Sequence, residues 1–81
     1  MLEPFSREAF IREFESIDAE HTALDDRGDT DLTSWIQRRA QSLLGMLQTS
    51  QEHYMLMRRA IEIASPGEVL KIARQVIEET A

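Results

Sequence analysis

Leu32-Thr33-Ser34-Trp35-Ile36-Gln37-Arg38-Arg39-Ala40-Gln41-Ser42-Leu43-Leu44-Gly45-Met46-Leu47, with its continuation to Ala64, decides the fold. Within it Ile36, Ala40, Leu43, Leu47, Ser50, Tyr54, Met57, Ile61 and Ala64 follow one another in alternating steps of four and three. Side chains at that spacing line one side of an α-helix, whereas a strand would scatter them over both of its faces. The spacing predicts one continuous helix over 32–64, which would span roughly 50 Å at about 1.5 Å per residue. That is longer than a compact chain of 81 residues needs. Two places invite a break. Gly45 costs about 1 kcal/mol against alanine in a helix interior, and also offers room for close packing. Thr49-Ser50-Gln51-Glu52 reads as a capping box. The seam runs through both in phase, which favours continuity; a break would give four helices rather than three.

On the N-terminal side, Pro4 and Ser6 mark a helix start, because the Ser6 hydroxyl can accept from the free amides of a first turn. Phe10, Phe14, Ile17, His21 and Leu24 again step by four and three, with Glu8, Glu13, Glu15 and Glu20 on the remaining positions. This predicts an amphipathic helix over 6–26. Asp25-Asp26-Arg27-Gly28-Asp29-Thr30-Asp31 ends it: Gly28 supplies the left-handed position that stops helices, and Asp29 or Asp31 caps the next one. Arg27-Gly28-Asp29 spells the cell-adhesion tripeptide, which three residues match by chance. The aspartates fail the calcium-loop pattern, whose sixth and twelfth positions would fall on Thr30 and Ile36 instead of Gly and Glu. On the C-terminal side, Ser65-Pro66-Gly67-Glu68 combines a capping serine, a proline at the first helical position and a glutamate closing the box. The last helix is expected over 66–79, with Val69, Leu70, Ile72, Ala73, Val76 and Ile77 as its apolar set. The fold class is therefore all-α: three, or with a break four, antiparallel amphipathic helices in a single domain around one long central helix.

The composition narrows function more by exclusion than by assignment. Cysteine is absent, so disulfides and thiol chemistry are excluded. No apolar run approaches the ~20 residues that cross a bilayer, and the first twelve residues hold Glu3 and Glu8 without an apolar core, unlike a cleavable signal. The expected location is cytoplasmic, or outside the cell by a route that needs no cleavable signal. The net charge of −6 is uneven: residues 1–31 carry ten acids and three bases, residues 32–81 five acids and six bases. An acidic chain is a poor partner for nucleic acid, whose binding is driven by cationic groups releasing counterions. The acidic half reads as a solvated helix face or as a match for a basic surface.

The chemistry-bearing residues form no recognised constellation. His21 and His53 lie on different helices without a nearby third ligand, a poor zinc site, and read as half-buried structural histidines. No carboxylate pair, nucleophile elbow or phosphate loop is present in the pattern. No cofactor, metal or small-molecule substrate is expected, and no enzymatic activity. Met46, Met55, Leu56 and Met57 form a soft apolar cluster of the kind used in cores and at adaptable binding surfaces. A short chain with long apolar seams leaves surface that a partner or a second copy covers. The candidate partner-binding residues are Phe5, Phe10 and Phe14 as aromatic anchors, then Trp35, Arg38, Arg39, Leu47, Tyr54, Met55, Arg58 and Arg59. Two roles follow: an assembly subunit, or a small regulatory binder (inhibitor, anti-activator or chaperone) that docks an amphipathic helix into a partner's groove.

Leu47-Gln48-Thr49-Ser50-Gln51-Glu52-His53-Tyr54-Met55-Leu56-Met57, followed by Ile63-Ala64-Ser65 and a closing amphipathic helix, resembles the C-terminal half of the small inner-rod and needle subunits of bacterial type III secretion systems. The resemblance rests on a Gln-x-x-Tyr pattern and spacing. Pro66-Gly67 and the regular, phenylalanine-rich first helix depart from it. It implies a helical polymer lining an export conduit, without catalysis.

Overall fold

The computed structural model describes residues 4–28 and 31–81. The described residues form helices and connections without a strand: α1 (Arg7–Asp26), α2 (Leu32–Arg39), α3 (Gln41–Met46), α4 (Gln51–Glu62) and α5 (Pro66–Glu79). The all-α class expected from the spacing is what the structure has.

The expected helix over 32–64 is not one rod. It is divided at Ala40 and again at residues 47–50. At Ala40 the hydrogen-bond ladder continues, with Ala40 N–H to Ile36 C=O at 2.9 Å and Leu44 N–H to Ala40 C=O at 3.0 Å. The backbone nevertheless opens to ψ −6°. Ser42 donates its hydroxyl to the Arg39 carbonyl at 3.1 Å, a back-bond of the kind that bends helices. The second break is complete. Leu47 leaves the helical region, and Ser50 takes an extended conformation (φ −120°, ψ 90°) as the cap of α4. The physical reason is burial. Ile36, Ala40, Leu43, Leu47 and Met57 are all fully buried, and Ile61 nearly so. A straight rod would hold that seam out over its whole length. The folded chain has principal extents of 39 × 22 × 21 Å.

No long central helix is present among the described residues, and α5 contributes most to the core. It packs on α4, α1 and α2 and buries Val69, Leu70, Ile72, Ala73 and Val76, more than any other helix. The start of α5 is the one read from the sequence. Ser65 is its cap, the Glu68 amide donates to Ser65 Oγ at 3.3 Å, and Pro66 opens the helix. α1 likewise starts where expected, with the Ala9 amide donating to Ser6 Oγ at 3.3 Å. It ends on Gly28 at φ +74°.

Two expectations of detail are corrected, and a third falls outside the described residues. Gly45 is exposed, and a Cβ there would meet nothing within 4 Å, so the glycine serves no close approach. Asp31 stands at the cap position of α2 but bonds no first-turn amide; its carboxylate accepts the Thr33 hydroxyl at 3.3 Å instead. The other proposed cap, Asp29, lies outside the described residues.

The place of the turn from α4 into α5 was read from Ser65-Pro66, but its left-handed closure was not visible in the sequence. Ala64 N–H bonds the Ile61 carbonyl at 2.9 Å, and Ser65 N–H the Ala60 carbonyl at 3.4 Å. This is the paired closure that usually places glycine at the left-handed position. Here the position is filled by Ala64 at φ +54°, which costs an L-residue roughly 1–2 kcal/mol. Ala64→Gly relieves that strain, less the extra freedom that glycine gives the unfolded chain. Thermal or urea unfolding should show a gain of about 0.5–1 kcal/mol; an unchanged or lower stability would show the turn to be unstrained.

Candidate functional site

The structure divides the eleven candidate residues into three groups. Phe10 and Leu47 are fully buried. They are core, and the expectation that they contact a partner is corrected, since neither side chain reaches the surface. Phe5, Phe14, Trp35 and Tyr54 are half-buried and packed against that core. Phe5 tilts against Phe10 with ring centroids 5.6 Å apart. Trp35 stacks on His21 at 6.0 Å. Phe14 lies under the Arg74 guanidinium at 5.6 Å, a cation–π arrangement. The aromatic anchors are therefore spent inside the chain.

Arg39 is also spent inside. It bonds Glu13, Glu20 (2.8 Å) and the Ser16 hydroxyl (3.1 Å), all on α1. Burial lowers the affinity of this guanidinium for its proton. The hydrogen bonds and charges of Glu13 and Glu20 outweigh that and raise its pKa. Of the two basic pairs, then, the acidic first helix takes one member.

What remains exposed is Arg38, Met55, Arg58 and Arg59. Three of the four are on α4, and they have company there. Met55 is 55% exposed, Ile63 60% and Leu56 36%, the large apolar residues of greatest exposure among those described. The sequence held a signal for Leu56 and Ile63. Glu52, Leu56, Arg59 and Ile63 step by four, three and four, repeating the buried seam's rhythm on the opposite side of the helix. α4 thus has two usable faces. Tyr54, Met57 and Ile61 turn inward; Glu52, Met55, Leu56, Arg58, Arg59 and Glu62 line a shallow groove of 690 Å³ facing out. Arg58 bonds Glu62 one turn on, at 3.2 Å. The methionine cluster is divided accordingly: Met57 is core, Met46 half-buried, Met55 outside.

A second constellation joins the first turn of α4 to the last turn of α5. Ser50 Oγ lies 2.8 Å from His53 Nδ1, and His53 Nε2 lies 2.7 Å from Glu79 Oε2. An ionised carboxylate only accepts, so Nε2 carries the proton, and in the neutral ring Nδ1 accepts the Ser50 hydroxyl. Gln75 Nε2 donates to the other Glu79 oxygen at 3.1 Å. The His53 bond, then the Gln75 bond, hold the Glu79 carboxyl below its ordinary pKa. The sequence placed a capping box one residue too early, at Thr49 and Glu52. The cap is Ser50, and its hydroxyl goes to the ring of the residue three on. In such a row an imidazole can take the hydroxyl proton while the carboxylate orients the ring and stabilises its charged form. The depression beside this row, lined by Phe5, Leu47, Ser50, His53 and Thr80, holds 90 Å³. Small-molecule sites start at about 300 Å³. The row is a clasp between two helices.

Among the described residues no group of three or more His, Cys, Asp or Glu is placed to hold a metal ion, and no helix is long and apolar enough to cross a membrane. No family model, no curated protein and no solved structure matches the chain.

The clasp makes stability depend on acid. A carboxyl whose pKa is lower folded than unfolded stabilises the fold above its unfolded value, and that contribution is lost as pH falls through the folded one. Unfolding midpoints should therefore fall with acidification below the ordinary glutamate value of 4.5. Glu79→Gln should make that part of the profile shallower, and a slope identical to the wild type would remove Glu79 as a contributor.

Proposed function

We propose that this chain is a non-enzymatic protein–protein interaction subunit and that the outer face of α4 is its docking surface. One observation carries the reading. Among the described residues, the three large apolar side chains most open to water, Met55, Leu56 and Ile63, lie on α4 or at its C-terminal end. The opposite side of the same helix supplies core. Contiguous apolar surface rimmed by charge is what a partner covers, and Glu52, Arg58, Arg59 and Glu62 form such a rim. Met55 adds a side chain that adapts to irregular partners.

The specific form of this reading is a rod- or needle-like component of a type III secretion system, with Gln51 and Tyr54 and the closing helix as the supporting resemblance. Amphipathic helices, with α5 packed on α4 after the turn at Ile63-Ala64-Ser65, suit a subunit of an assembly. The regulatory alternative draws support from the same face. Leu56 and Ile63 stand two turns apart with Arg59 between them, a spacing by which a helix fills a groove. In both readings the partner is protein. Arg74, one of only two cations on α5, already faces Phe14 and Asp18, which leaves that helix little charge for phosphate.

The test is a variant that changes the face and not the core. Met55→Asp with Ile63→Asp should keep the helical content and the unfolding midpoint within about 0.5 kcal/mol of wild type, as exposed substitutions do. It should abolish recovery of bound protein from the source cell and any concentration-dependent rise in mass. Retention of both would rule out this face.

A further inference from the structure

Glu52 and Arg59 bound the outer face of α4, and neither takes part in an ion pair among the described residues. Their neighbours Arg58 and Glu62 are bonded to each other. The two free charges stand symmetrically about the apolar pair between them. Glu52 is three residues before Met55, and Arg59 is three residues after Leu56. All four side chains line the same groove. We propose that the occupant of this groove is a second copy of the same chain, docked α4 against α4 in antiparallel sense about a two-fold axis through the midpoint of Met55 and Leu56. This rests on the reading of α4 as a docking face, not on its rod- or needle-like form, and names what docks there.

The argument is self-complementarity. A two-fold interface brings one patch against itself, so residue i meets residue j and j meets i. With the axis between Met55 and Leu56, each Met55 lies over the other copy's Leu56. Each Glu52 lies over the other copy's Arg59, giving two reciprocal opposite-charge pairs around an apolar centre. Other registers lose this. A parallel pairing sets Glu52 against Glu52 and Arg59 against Arg59. An antiparallel pairing shifted to oppose Met55 and Ile63 puts Arg59 on the axis, against its own copy. Like charges in contact select against the wrong arrangement more strongly than opposite charges favour the right one. A contact through one helix per copy falls below the roughly 1,200 Å² of a standard stable interface. The dimer is accordingly a weak one that forms as concentration rises.

The experiment is sedimentation equilibrium of the full chain over a wide concentration range, at low and high salt. The wild-type mass should rise from 9.4 kDa towards twice that and no further, with weaker association at high salt. Glu52→Arg and Arg59→Glu should each remain monomeric. Mixed together they should form a heterodimer, because one then carries two cations on the face and the other two anions. The double variant, with the charges exchanged, should dimerise again. Circular dichroism and unfolding midpoints like wild type keep the comparison clear of misfolding. A wild-type mass that stays at 9.4 kDa overturns self-pairing. So does one that climbs beyond twice that value, the mark of a head-to-tail contact such as α4 on the acidic face of α1. So does a dimer indifferent to charge reversal. If the chain stays monomeric but recovers a foreign protein in a Met55-dependent way, self-pairing falls while the interaction reading stands. If neither mass nor recovery responds to changes on α4, both fall.

Discussion

The structure depends on the need to bury a long apolar seam within a short chain. Ile36, Ala40, Leu43, Leu47, Met57 and Ile61 all reach the interior, which a rod cannot do, because its two ends are too far apart to share one core. Breaking the segment brings both halves of the seam to α5. Hydrophobic burial scales with the apolar area removed from water. Closing the seam inward thus repays the hydrogen bonds lost at residues 47–50 and the left-handed strain at Ala64. The polar contacts then fix how the pieces sit. Arg39 fastens α2 to α1, His53 fastens α4 to α5, and Arg7 bonds the Ile77 carbonyl through Nε and Nη2 at 3.3 and 3.1 Å, tying α1 to α5.

Local signals were legible where local chemistry decides the outcome. Ser6, Gly28 and Ser65-Pro66 mark helix ends through hydrogen bonds and backbone angles that neighbouring residues determine, and each stands where the sequence put it. The seam's period correctly assigned helix to most of 32–64, but not to Ala40, to 47–50 or to the closing turn. Period says nothing of straightness, however, because a bent helix keeps the same phase on either side of its bend. The break at Ser50 was legible as a capping box, one residue off, and lost out to the unbroken phase. The left-handed conformation of Ala64 was illegible, since the tertiary return of α5 onto α4 drives an alanine into a region that alanine does not choose for itself.

The surface was less legible than the interior. Aromatic side chains and arginines are enriched at interfaces, and that enrichment drew Phe5, Phe10, Phe14, Trp35, Tyr54 and Arg39 into the list of candidates. Here the same chemistry serves the chain's own core and clasps. What marks the outer face of α4 is a second rhythm opposite the first, Glu52, Leu56, Arg59 and Ile63, which alternates charge with large apolar side chains. A helix with two such rhythms has more greasy surface than one neighbour can take. Leu56 and Ile63 carry that signal, and the search for a single seam passes over it.

The bonds between Arg7 and the Ile77 carbonyl, and the small depression that Phe5 and Thr80 share, bring residues near opposite extremes of the numbering side by side. The helical body is thereby nearly a closed ring. A short linker joining those two points, with new ends opened in the acidic connection between α1 and α2, would give a circular permutant with the same interior. Two fluorophores placed near residues 5 and 80 would report the intact body by close energy transfer, and its opening by the loss of that transfer.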